Sequence, residues 1–105
     1  MQATHVEPNT VMLTLEGEFD ALAVVDARPM LESIIANSGS NVVMDFSAVD
    51  FLDSSGIGCL VFVFKRLYAA KRTLTLQGLR DQPLRLIQSL RIDKAIPTRS
   101  VGAAA

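Results

Sequence analysis

The chain has 105 residues, half of them hydrophobic and a fifth charged. That is enough to bury one core, too little for two substantial ones, and too apolar for extended disorder. Ten basic residues against eleven acidic ones leave a formal charge of −1, so no global field draws the protein toward nucleic acid or anionic lipid. The basic residues between positions 65 and 99 are scattered at amphipathic spacing and read as solvated helix faces. A single cysteine, Cys59, rules out an internal disulfide, and with one histidine it is too few for a zinc site. The first residues lack the basic start and apolar core of a signal peptide, and the apolar run 57–64 is far short of the roughly 20 residues a bilayer span needs. The expectation is one cytoplasmic domain without direct membrane insertion, with its core over about residues 4–97 and a mobile tail at 98–105.

Residues 4–7 and 11–16 read as two strands, the second rich in β-branched and apolar residues and closed by Gly17; Pro8-Asn9 supplies the turn of a hairpin. From residue 21 to 36 the pattern becomes helical, with Val24, Val25, Ala27, Leu31, Ile34 and Ile35 forming a buried stripe. Pro29 has no N–H, so either this helix starts near Asp26, which caps it, or an earlier start is kinked. Asn37-Ser38-Gly39-Ser40 ends it with turn-forming residues. A strand at 42–46 comes next, then a loop through Val49, Asp50 and Phe51, then Asp53-Ser54-Ser55-Gly56-Ile57-Gly58, and a helix from about Ser55 to Ala70. Residues 73–77 alternate polar and apolar as a half-covered strand does, and Gly78 ends it. Residues 82–90 read as a helix with Pro83 near its first turn, burying Leu86, Ile87 and Leu90. The order β-β-α-β-α-β-α predicts an α/β fold: a mixed β-sheet with an opening antiparallel hairpin, right-handed βαβ crossovers and helices packed on the sheet.

The serine run places two hydroxyls between a strand and a helix, near a helix N-terminus whose unpaired N–H groups favour negative charge by roughly 0.3–1 kcal/mol in exposed positions. Read locally, Ser54 or Ser55 caps the helix, Asp20 caps the helix before it, and Asp45 and Asp50 satisfy loop amides. Gly56 and Gly58 permit a close backbone approach or a positive φ. In the helix after this run, Ile57, Leu60, Val61, Phe64 and Tyr68 share a face suited to the core, yet Cys59, Phe62 and Val63 leave surplus apolar surface. Either the helix is central and buried, or it carries an apolar docking strip beside Ser54, rimmed by Lys65 and Arg66. Cys59 reads as a small packed hydrophobe.

Catalytic patterns are absent from the sequence. There is no Gly-Lys-Ser/Thr, Gly56-Ile57-Gly58 lacks the third glycine of a dinucleotide site, and Ser54 does not sit in Gly-x-Ser-x-Gly. A hydrolase using Ser54, His5 and Asp20 is formally possible but places its only histidine at the terminus.

Asp53-Ser54-Ser55-Gly56-Ile57-Gly58, after Val43-Met44-Asp45-Phe46 and with Gly17-Glu18-Phe19-Asp20 some thirty positions upstream, resembles the STAS domain of bacterial anti-sigma-factor antagonists. The likeness extends from about residue 11 to 96. It implies a STAS-like sheet and a protein that is not itself an enzyme and holds no cofactor or metal. It also implies partner switching. The unphosphorylated domain binds an anti-sigma factor or switch serine kinase of the histidine-kinase-like ATPase type, the kinase phosphorylates one serine and is released, and a PP2C-type phosphatase resets the system. By that resemblance the phosphoacceptor is Ser54, with Ser55 the alternative. Asp20, Asp53 and Gly56 lie beside it, and Ile57, Gly58, Cys59, Phe62, Val63 and Arg66 contact the partner. A monomer when free is expected. The runner-up is a STAS subunit of a membrane-associated ATPase complex, such as one of lipid transport, without a phosphorylation cycle; retention of Asp53 and Ser54 argues against it.

Overall fold

The computed structural model describes residues 1–37 and 39–101. Strand β1 (Gln2–Glu7) runs antiparallel to β2 (Thr10–Phe19). Between them Asn9 takes a left-handed φ of 67°, which its short polar side chain tolerates. Helix α1 (Ala21–Asn37), β3 (Asn41–Leu52), α2 (Ser54–Ala69), β4 (Leu74–Gln77), α3 (Asp81–Ser89), a 3₁₀ turn (Ile92–Lys94) and β5 (Thr98–Arg99) complete the chain. The sheet order is β1-β2-β3-β4-β5, parallel from β2 onward. The chain therefore crosses the sheet in one direction, and right-handed crossovers carry its helices over one face. The mixed α/β fold expected from the element order is the observed one. A short fifth strand extends it past Pro97, and the expected turn residue Ser38 and tail residues 102–105 lie outside the described residues.

Two strands are longer than their sequence pattern suggests. Gly17 does not close β2 but sits inside it at a φ of +73°, next to a shift in register with β3. The stretch from Val49 to Phe51 is not a loop but the second half of β3. Its pairing with β2 slips between Thr14 and Glu16 and again between Gly17 and Glu18, each time with one extra residue on β3. At the first slip Asp45 Oδ1 accepts from the Ser47 N–H at 2.9 Å and from its hydroxyl at 2.7 Å, an Asx turn that stabilises the bulge. Buried residues on this segment consequently fall at Phe46, Val49 and Leu52, every third position instead of every second, which hides the strand from an alternation rule.

Helix α1 begins at Ala21, six residues before the start that a cap at Asp26 would give. Asp20 accepts from the Ala23 N–H at 3.1 Å, and Pro29 lies within the helix on its exposed side. Ala27 and Leu31 are buried and Val24, Ile34 and Ile35 pack at the margin of the core, but Val25 of the expected stripe is exposed. On α2 the buried set is Gly56, Cys59, Leu60, Val63 and Leu67. It has the spacing predicted for Ile57, Leu60, Val61, Phe64 and Tyr68 but is turned by one residue, leaving Tyr68 73% exposed. On α3, Pro83 and Ile87 are buried, whereas Leu90, expected in the core, is 52% exposed because it lies past the last helical turn. No helix among the described residues is long and apolar enough to cross a membrane.

Candidate functional site

The parallel pairing of β2 with β3 sets the site. Phe19 and Leu52 are partners at the C-terminal ends of these strands, so Asp20 and Asp53 are the next residues on adjacent strands and each opens a helix. Asp53 Oδ1 accepts from the Gly56 N–H at 2.9 Å, and the Asp53 carbonyl accepts the first helical bond, from Ile57, at 2.9 Å. The cap is thus Asp53, and neither serine supplies it. That frees both hydroxyls: Ser54 is the first helical residue and exposed, Ser55 the second and half-buried.

Gly56 explains how the two helix starts come so close. A Cβ at this position would collide with the Phe19 carbonyl oxygen and lie 2.6 Å from Leu52 Cδ1. Only glycine lets α2 enter against the end of β2, and this close approach is what brings the Gly17-Glu18-Phe19-Asp20 segment to the serine turn. Phe19 in turn meets Phe46 edge to face, with ring centroids 6.3 Å apart, which anchors the segment in the core.

The N–H groups of Ser54 and Ser55 have no acceptor within their helix, because a helix always leaves its first donors unpaired. They and the macrodipole favour an anion at Ser54, while the Asp53 carboxylate beside it opposes one. Asp50 is turned toward Arg80, 3.9 Å away at an exposed position, where such a pair contributes little. A phosphate on Ser54 is therefore compatible with the helix end and alters the charge presented outward. Among the described residues no three His, Cys, Asp or Glu side chains gather as metal ligands.

Behind the turn, helix α2 presents part of the expected strip and hides the rest. Ile57 and Phe62 are half-buried, and Gly58 and Arg66 are exposed. Cys59 and Val63 are 5% and 1% exposed and pack in the core. These two offer no surface to a partner, a correction that stems from the one-residue rotation of the buried stripe. Burial pushes the Cys59 thiol above its ordinary pKa, the positive charge of Arg28 offsetting part of the rise, which favours the thiol over the reactive thiolate. The Phe62 ring is flanked by two guanidinium groups, Arg28 from α1 at 5.0 Å and Arg66 at 5.5 Å from its centroid. Leu22, two residues past Asp20, is 71% exposed and adds apolar surface at the start of α1.

Arg28 and Gln82 are not legible in the sequence as site residues. Gln82 Oε1 accepts from the Leu52 N–H at 2.9 Å and its Nε2 donates to the Leu52 carbonyl at 2.8 Å, across thirty positions of sequence. No local pattern signals such a contact. The side chain of His5, invoked for a hydrolase, lies outside the described residues.

The family model described as the STAS domain matches residues 2–105. An anti-sigma-B factor antagonist of Listeria monocytogenes is 31% identical over 85 residues, covering 81% of this chain and 75% of that protein. Among solved structures, the phosphorylated form of the Bacillus cell-fate determinant SpoIIAA superposes with a TM-score of 0.77 at 23% identity, covering 98% of this chain and 94% of the other. An anti-sigma-factor antagonist (STAS) domain protein of Planctomyces limnophilus gives 0.83 at 19% identity, covering 95% and 89%. At these identities the two structures speak for the fold.

Proposed function

Because the chain belongs to the STAS domain family of anti-sigma-factor antagonists, we propose that it acts by partner switching on an anti-sigma factor through phosphorylation of Ser54. In the unphosphorylated state the protein, a monomer, binds an anti-sigma factor or switch serine kinase of the histidine-kinase-like ATPase type. That kinase transfers a phosphoryl group from ATP to the Ser54 hydroxyl and lets go, and a PP2C-type phosphatase hydrolyses the phosphoserine to reset the cycle. The observation that carries this reading is the exposed Ser54 hydroxyl on the first residue of α2, left free because Asp53 does the capping. Ser55, half-buried one residue on, is the less accessible acceptor.

The binding surface is the outer side of the α2 start: Ile57, Gly58, Phe62 and Arg66, joined by Leu22 and Arg28 from α1. Phosphorylation adds about −1.5 to −2 charge at pH 7 to its edge. Weakening binding tenfold requires about 1.4 kcal/mol of differential interaction, a small demand on a dianion at an interface. The fold is retained on phosphorylation, since the helix end accommodates the charge and the core lies beneath it.

The test is direct. The protein is mixed with ATP and each histidine-kinase-like ATPase encoded in its own genome, and the product is mapped by mass spectrometry. Phosphate on Ser54 that disappears in Ser54→Ala is the expected result. Phosphate on Ser55 moves the assignment there, and no phosphorylation by any such ATPase sinks the cycle.

A further inference from the structure

The second half of β3 is held on one side by side chains and not by a strand. Strand β4 pairs only with Val42, Val43, Met44 and Asp45, yet β3 runs on to Leu52. In a parallel ladder the N–H and C=O of one residue point to the same side. At Leu52 both are met by the primary amide of Gln82, at 2.9 and 2.8 Å. A primary amide offers the same donor and acceptor as a peptide group, so Gln82 completes the rung that a neighbouring strand would supply. Five residues upstream, Arg80 Nε donates to the Ser47 carbonyl at 2.9 Å, a second grip from the same segment on the same edge.

The base of this clamp is the first turn of α3. Asp81 takes a φ of 52°, a left-handed value costly for a residue that is not glycine, and the Arg80 guanidinium lies 2.8 Å from its carboxylate. Pro83, on the other side of Gln82, is buried. Helix α3 therefore delivers the Gln82 amide from its first turn, next to a buried proline. The Leu52 carbonyl that it holds belongs to the peptide bond leading into Asp53, the residue that caps α2 and directly precedes Ser54.

We propose that Gln82 is a positioning residue for the serine turn: by clamping both backbone groups of Leu52 it orients the Asp53-Ser54 segment for phosphoryl transfer without touching the kinase. This rests on the assignment of Ser54 as the phosphoacceptor. Loss of the clamp frees the last peptide of β3 to pivot, so the hydroxyl samples orientations that do not align with an incoming phosphoryl group. Small misplacements of a reacting atom lower the rate far more than they lower binding. The kinase still docks on Ile57, Phe62 and Arg66, none of which depends on the rung. The signature is a fall in kcat with KM little changed.

The experiment uses the full chain, the ATPase found to phosphorylate it by mass spectrometry, and radiolabelled ATP. Gln82→Met keeps the length of the side chain and removes both hydrogen bonds; Gln82→Asn keeps the amide one methylene short of Leu52 and serves if the first variant does not fold. Arg72→Met is the control, because Arg72 donates to the carbonyls of Ser40, Ile35 and Ile34 at 2.7, 2.9 and 3.1 Å, at the end of the sheet away from Ser54. Expected is a drop in kcat on the order of tenfold for the Gln82 variants with KM within about twofold, with amide exchange at Leu52 faster than the change in global stability accounts for. Arg72→Met is expected to lose stability and keep its kcat. A kcat within about twofold of wild type in a folded Gln82 variant, or an equal fall in Arg72→Met, overturns the positioning role and leaves the Ser54 assignment standing. If the wild-type chain takes no phosphate on Ser54, that assignment fails first and the positioning role goes with it.

Discussion

Helices α1 and α2 start side by side with the same cap, and only the α2 start carries the serine proposed as the switch. Asp20 and Asp53 come directly after register partners on adjacent strands, each accepts from the N–H three residues on, at 3.1 and 2.9 Å, and each carbonyl takes its first helical bond at 2.9 Å. The first turns of the two helices differ. Ala21-Leu22-Ala23 offers no hydroxyl, while Ser54-Ser55-Gly56 offers two and a glycine that lets the helix sink against Phe19. Behind Asp53 the Leu52 backbone is gripped by Gln82. An aspartate cap is a general device for starting a helix; what the proposed phosphoacceptor role of Ser54 adds is a cap that spares the adjacent serine and a strand end behind it that is hydrogen-bonded to Gln82.

The harshest way to break this arrangement is Gly56→Ala. Its methyl group has nowhere to go between the Phe19 carbonyl and Leu52, so the two helix starts are forced apart, with an expected loss of about 3 kcal/mol in denaturant unfolding. A loss below about 1 kcal/mol would show that the contact yields easily. Next in size is Ser54→Asp, for which partner affinity should fall at least about tenfold, or 1.4 kcal/mol, in calorimetry. Ser54→Ala should retain wild-type affinity, and both exposed substitutions should leave stability within about 0.5 kcal/mol. Unchanged affinity in Ser54→Asp counts against an electrostatic switch.

Asp20→Ala and Asp53→Ala should each cost about 1 kcal/mol in thermal or denaturant unfolding, but only Asp53→Ala should alter the rate of Ser54 phosphorylation. Equal rate effects would mean that the two starts work as one surface. The smallest effect is expected for Ala21→Ser, which puts a hydroxyl at the matching position of α1: a stability change of a few tenths of a kcal/mol and no phosphate on the new serine by mass spectrometry. Phosphorylation there would show that a capped serine is sufficient without the Gln82 clamp.

Local sequence patterns mislead where tertiary packing sets the outcome. Periodicity places the buried stripe of α2 one residue off because nearly every position from Ile57 to Phe64 is apolar, so it fixes the spacing but not the phase. The phase matters here, since it sends Cys59 and Val63 inward and leaves Phe62 between Arg28 and Arg66. The end of β3 reads as a loop because two bulges give it a period of three. Pro29 argues for a late helix start, yet the Asp20 cap and the packing of Ala27 and Leu31 carry α1 through it, tertiary contacts outweighing one missing hydrogen bond.

The order of strands and helices as far as α3, the mixed sheet with its opening hairpin, and two hydroxyls at a strand-to-helix junction were determined by residues near one another in sequence, through β-branched runs and turn chemistry; the choice of Ser54 over Ser55 came from the resemblance to the STAS family. Only the tertiary structure decided which face of α2 is buried, why residue 56 must be glycine, and that Gln82 holds the strand beneath the serine. These depend on groups thirty or more positions apart meeting at distances of about 3 Å, and only the folded sheet, by fixing the register of β2 against β3 and seating α3 at its edge, brings them there.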